Sequence, residues 1–137
     1  MIELKPFERK HLFLFKPGQF DREIYDNAFQ EFIARNEGNG LTAFIDEEAI
    51  GCFFLTQPVD GCSTVMVFGS DEGRRKHWLW LGLTFRRGIE IVPKNLGITK
   101  LRAEVFKDFA VSRKWVERMG FQAIGDLGSR ILYERAV

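Results

Sequence analysis

The stretch Ala103–Gly125 constrains this chain more than any other. It runs Ala-Glu-Val-Phe-Lys-Asp-Phe-Ala-Val-Ser-Arg-Lys-Trp-Val-Glu-Arg-Met-Gly-Phe-Gln-Ala-Ile-Gly. The pattern predicts a strand, a short loop, a helix, a glycine stop and a second strand. Asp108 is placed to cap the helix, because its carboxylate can accept the first orphan amides. Gly120 is placed to end it, since glycine enters the left-handed region without a Cβ clash. Val111, Trp115 and Met119 recur at helical spacing, which predicts that they form the buried face.

The remaining elements follow from the same kind of pattern. Ile2–Phe15 reads as an opening strand, followed by a turn at Pro17-Gly18. Asp21–Asn36 reads as an amphipathic helix with Ile24, Ala28, Phe32 and Ile33 on one side. Leu41–Ile45 and Ile50–Leu55, joined by the polar link Asp46–Ala49, predict an antiparallel hairpin. Ser63–Phe68 is a β-branched, apolar run that suits a buried strand. A polar loop is expected over Gly69–Lys76, then a long helix from about His77 to Val92. Trp78, Leu81, Phe85, Ile89 and Val92 form its apolar stripe, and Pro93 and Gly97 end it. On this spacing Trp78 and Trp115 belong to the core, whereas Trp80 lies off the stripe, exposed or facing another chain. Leu101–Phe106 and Arg130–Arg135 complete the strands.

Composition sets outer bounds. The 137 residues, 45% hydrophobic and 28% charged, suit one soluble globular domain over residues 1–137. Fourteen phenylalanines call for a core of large flat rings. A net charge of +1 argues against general nucleic-acid binding through a large positive field. Local basic runs remain at Arg74–Lys76 and Arg86-Arg87. Cys52 and Cys62 are too few for a disulfide scaffold and have no zinc spacing, so both are expected as reduced thiols and no metal is expected. The opening residues do not read as a signal peptide, and Trp78–Leu83 is too short to cross a bilayer. A cytoplasmic setting is expected, or a particle assembled in one.

The run Val116-Glu117-Arg118-Met119-Gly120-Phe121 resembles the last helix-to-strand corner of the GNAT acetyltransferases. Those enzymes read roughly tyrosine, acidic, basic, leucine, glycine, phenylalanine there. The order of elements resembles the GNAT fold over nearly the whole chain. The resemblance implies an α+β architecture: a central mixed, mainly antiparallel sheet flanked by helices, with a splayed strand pair at Ser63–Phe68 and Leu101–Phe106. It also implies acetyl-CoA as co-substrate and an amine as acceptor, either a small molecule or a protein. The coenzyme would be held by the backbone of Val67, Phe68, Gly69 and Gly73 and by Arg74, Arg75 and Lys76, at an anion nest leading into a helix. The family's phosphate motif is not reproduced in Phe68–His77. One register keeps only Gly73 and another keeps no glycine, while Arg75 falls on a motif position in both.

Amine acetylation needs a base for the amine, a polarised carbonyl and a proton for the leaving thiolate. The family's tyrosine would fall at Val116 and its asparagine at Phe109, so neither is present. The candidates that remain are Glu104 as base, His77 as proton shuttle and Tyr133 as proton donor. Each has a plainer role beside it: a strand residue facing solvent, a polar residue in a first helical turn, and a packed core ring. Two functional readings therefore stay open. One is an acetyl-CoA-dependent N-acetyltransferase. The other is a GNAT-fold structural or interaction protein, similar to small phage-encoded proteins of this type, some of them internal to the virion. A homodimer or assembly partner is compatible with either.

Overall fold

The computed structural model describes residues 2–14, 31 and 40–137. The expected turn at Pro17-Gly18 and helix over Asp21–Asn36 lie outside the described residues. Among the described residues, seven strands form one sheet in the order β1-β2-β3-β4-β5-β7-β6. In chain order these are β1 (Ile2–Pro6), β2 (Gly40–Ile45), β3 (Glu48–Leu55), β4 (Cys62–Gly69), β5 (Lys100–Phe106), β6 (Gln122–Asp126) and β7 (Arg130–Ala136). Two helices join them: α1 (Asp71–Asn95) between β4 and β5, and α2 (Ala110–Arg118) between β5 and β6. Every strand pairing is antiparallel except β4 with β5.

The opening segment is shorter as a strand than its sequence suggested. After β1 the chain turns into a 3-10 helix, Arg9–Phe13. Buried His11 fastens that turn. Its Nδ1 accepts from the Glu8 amide at 3.1 Å and lies 2.8 Å from Thr42 Oγ1 on β2. The ring meets Phe44 edge-on at 5.4 Å.

The β2–β3 hairpin closes through Asp46 and Glu47, both in the left-handed region at φ 48° and 70°. A two-residue turn of this hand matches the twist of its flanking strands. β3 is central, and Ala49 to Leu55 are all buried. Its register with β2 passes from Ala49 to Gly51 and skips Ile50. That bulge lets the strand serve two cores. Ile50, Phe53 and Leu55 pack with Leu81, Phe85 and Ile89 of α1, Val116 of α2 and Met119 just after it. On the other face Ala49, Cys52 and Phe54 pack with Phe7, Phe44 and Phe68. Rings account for much of this second cluster: Phe7 stacks on Phe54 at 4.4 Å. Neither cysteine is part of a disulfide; Cys52 is buried and Cys62 half-buried.

Both helices depart from their expected limits. α1 starts at Asp71, not His77, so the expected polar loop is largely helical. Ser70 is the cap: its Oγ accepts from the Gly73 amide at 2.9 Å. Helical geometry then breaks at His77, with φ −126° and ψ 19°. Pro93 is accommodated in the last turn, and the helix runs on to Asn95. In α2 the N-cap is Phe109, with no side-chain cap bond, so Asp108 does not cap it. Gly120 does end it, at φ 91°. The buried residue of α2 is Val116, continued by Met119 just past its end, with Trp115 half-buried beside them, while Val111 is 72% exposed. Short α2 covers the sheet only with its second half.

Candidate functional site

The most distinctive feature of the sheet is where it stops pairing. β4 and β5 run parallel and pair only at Cys62–Lys100, Ser63–Leu101 and Thr64–Arg102. Beyond that last rung β4 stays in register with β3 as far as Gly69. β5 stays in register with β7 as far as Phe106. The two strands therefore part, as the GNAT resemblance implied. Beyond that rung neither strand pairs with the other, and a strand edge of this kind can take up an added hydrogen-bonding segment.

The start of α1 stands at the end of β4, beside the open end of this gap. A bulge on β3 holds it there. The Ile50 carbonyl accepts from the Ser70 amide at 3.1 Å. A Cβ on Gly73 would lie 2.6 Å from that same carbonyl oxygen. Gly73 is thus needed for close packing of helix on strand. Its amide is already used by the Ser70 cap, so the site's remaining anion-binding capacity rests on the other first-turn amides and the basic run. Arg75 and Lys76 are exposed there, and His77 at the helix break is half-buried. Of Arg74 only the helical backbone is described.

The three titratable candidates are placed on separate surfaces. Glu104 projects from β5 on the face away from the helices, between the buried positions Ala103 and Val105. It is 43% exposed, with Oε2 3.9 Å from Arg130 Nη1. Tyr133 pairs across from Ala103, one step past the last β4–β5 rung. Its ring is buried on the helix face, and its hydroxyl donates to Glu117 Oε1 of α2 at 3.3 Å. His77 belongs to α1. The fold does not gather the three into one relay.

Two concave surfaces stand out among the described residues, and neither was read from the sequence. One is a small groove of about 110 Å³ between α1 and α2, walled by Trp78, Leu79 and Leu83 with Trp115, Arg118 and Met119. Trp78 is 52% exposed, with Arg118 over its ring at 5.8 Å, so it is a wall of this groove and not core. Trp80 instead packs half-buried against the core. The other is a cavity of about 500 Å³ beside the paired end of β4 and β5, lined by Thr56, Ser63, Thr64, Lys100 and Arg102 among others. Its signal in the sequence was the alternation of Lys100, Arg102 and Glu104 with Leu101, Ala103 and Val105. Among the described residues no group of histidines, cysteines and carboxylates is gathered to hold a metal ion, and no helix is long and apolar enough to cross a membrane.

The chain as a whole superimposes on known structures at low sequence identity. The chain superimposes on Ard1 from Thermoplasma volcanium with a TM-score of 0.78, at 14% identity over 99% of this chain and 97% of that one. The fold is that of the GNAT acetyltransferases. The PaiA N-acetyltransferase from Thermoplasma acidophilum, solved in complex with coenzyme A, matches with a TM-score of 0.75 at 19% identity, over 100% of this chain and 99% of that one. An IAA acetyltransferase from Bacillus cereus gives 0.75 at 14% identity, with both chains covered completely. No family model matches the sequence, and no curated protein matches it. The GNAT architecture is therefore legible in shape where sequence similarity is slight.

Proposed function

We propose that this chain is an acetyl-CoA-dependent N-acetyltransferase. The observation that carries the reading is the gap beyond the Thr64–Arg102 rung, with the start of α1 at its open end. An extended amide-bearing arm can add to a strand edge by main-chain hydrogen bonds, and the β4 edge around Val67, beyond the last rung with β5, is where such an arm would lie, with Phe68 and Gly69 beside it. Arg75 and Lys76 bring cations to the place where a pyrophosphate would meet the helix N-terminus, with Arg74 next to them in sequence. The groove of Trp78, Trp115 and Arg118 adds an aromatic, cationic surface beside it. The residues present fit the coenzyme, and acetyl-CoA would supply the activated acyl group.

Within this reading Glu104 is the base. The acceptor nitrogen bonds to the acetyl carbon as the carbon–sulfur bond breaks; its proton passes to the Glu104 carboxylate, and the sulfur leaves as thiolate and is protonated from water. Tyr133, buried with its hydroxyl committed to Glu117, holds α2 against the sheet. His77 shares the anion-binding end of α1.

A second reading, a structural or interaction protein on the same fold, is favoured by one observation. The position that resembles the family's tyrosine holds Val116, which is buried. Calorimetric titration with acetyl-CoA separates the two. Binding is expected for the parent, and about tenfold weaker or worse binding for Arg75→Ala. The melting temperature should stay nearly constant, because an exposed charge contributes little to stability. A parent that ignores millimolar acetyl-CoA contradicts the enzyme reading.

A further inference from the structure

The cavity at the paired end of β4 and β5 has the size of small-ligand sites, about 500 Å³. It lies on the sheet face away from α1 and α2, where Lys100 and Arg102 project while Leu101 between them is buried. The Ser63 hydroxyl donates to the Thr56 carbonyl at 2.6 Å, and the Thr64 amide donates to Thr56 Oγ1 at 3.0 Å. The wall is thus built and largely satisfied, which leaves recognition to the charged groups.

Those groups are unevenly balanced. Glu134 on β7 meets both cations, at 3.4 Å from Lys100 Nζ and 3.1 Å from Arg102 Nε. One carboxylate cannot engage all the donors of an ammonium and a guanidinium together. Two cations converging with donors to spare suit an added carboxylate. Asp60, also in the cavity wall, and Glu134 oppose anything more highly charged, such as a pyrophosphate.

Position supplies the rest. Thr64 and Arg102 line the cavity and also form the last β4–β5 rung, so the cavity ends where the gap begins. Glu104 is the next same-face residue of β5, about 6.7 Å further along the strand. Its contact with Arg130 at 3.9 Å joins two half-exposed side chains and is easily exchanged. Reading along β5 toward the gap, the order is cation, cation, carboxylate.

We infer that this cavity seats the acyl acceptor, and that the acceptor is a small amino acid-like molecule: a primary amine a few bonds from a carboxylate. The carboxylate rests on Arg102 and Lys100, and the amine lies against Glu104 at the edge of the gap. This rests on the acetyltransferase reading for the reaction, but not for binding.

The test uses the full chain, isotopically labelled for amide NMR, titrated with glycine, β-alanine and 4-aminobutyrate, and with n-butylamine and butyrate as controls. At least one of the three amino acids is expected to shift the amides of Ser63–Val65 and Lys100–Glu104 with an affinity tenfold or more above both controls. Arg102→Gln and, independently, Lys100→Gln should weaken it tenfold or more. Both are exposed positions, so folding is not at stake. The inference is overturned if none of the three shifts those amides, if n-butylamine or butyrate binds as well, or if both variants bind like the parent. A separate titration with acetyl-CoA reports on Gly69–Lys76. Shifts there with a silent cavity sink the acceptor assignment alone. A responsive cavity with no acetyl-CoA shifts sinks the transferase reading and leaves the cavity standing.

Discussion

The two faces of β5 carry opposite duties on one short strand. Toward the helices, Leu101, Ala103 and Val105 are buried in the core with Phe85 and Val116. Away from them, Lys100, Arg102 and Glu104 are exposed and form ion pairs with Glu134 and Arg130. Strand alternation makes this division unavoidable. It also means that the face which holds the fold together can be damaged without touching the polar face, and the reverse. The same contrast holds along the β4–β5 pair, which is closed as far as Thr64–Arg102 and open beyond it.

Damage to the core face should have the largest effect. Phe85 is fully buried, its ring 5.2 Å from Phe53 and 6.1 Å from Trp115. Phe85→Ala is expected to cost about 3–5 kcal/mol in urea unfolding, the range for emptying a large aromatic site. Trp115 is only half-buried and forms one wall of the α1–α2 groove, so Trp115→Ala should cost less, roughly 1.5–3 kcal/mol. Equal losses for the two would show that the groove is core after all.

Gly73 lies between the two kinds of site. Gly73→Ala places a Cβ 2.6 Å from the Ile50 carbonyl oxygen, and backbone cannot yield cheaply. About 1–3 kcal/mol of destabilisation is expected, as for overpacking. The displaced start of α1 should also weaken acetyl-CoA binding. Loss of binding with unchanged stability would instead mark Gly73 as a ligand contact.

The smallest effect concerns His11, far from the gap. Burial holds its pKa below the ordinary 6.5, with partial opposition from Glu8. The unfolded chain therefore takes up this proton more readily than the folded one. Stability from His11 is complete above pH 6.5 and falls as pH drops through that value. Urea midpoints at pH 7.5 and 5.5 measure it, and His11→Gln should flatten the slope. A variant whose pH dependence matches the parent's would place the titration elsewhere.

How far these features were legible in the sequence varies with their physical cause. The order of the elements followed from apolar patterning, and the parting of β4 and β5 was implied by the GNAT resemblance carried by that order and by the corner at Val116–Phe121. The early start of α1 did not, because Asp71–Lys76 is all polar or glycine and shows no buried stripe; only Ser70 before Gly73 hinted at a cap. Trp78 keeps the spacing of Leu81 and Phe85, yet it meets Trp115 and Arg118 across the groove. Periodicity says which side of a helix a residue lies on and not what covers that side. Val111 misled for the same reason, since the first turn of α2 overhangs the sheet. The cavity was hidden because it draws on two stretches of chain far apart in sequence, 56–64 and 99–102.

Hydrogen exchange of β4 with and without saturating acetyl-CoA tests the central claim most directly. The claim is that the gap beyond the last β4–β5 rung receives the acyl-bearing arm. Protection should rise for those amides of Val65–Phe68 that point into the gap, and stay unchanged for Cys62 and Thr64, whose amides already donate to the Val59 carbonyl and to Thr56 Oγ1. Equal exchange throughout β4 with and without the ligand would contradict it.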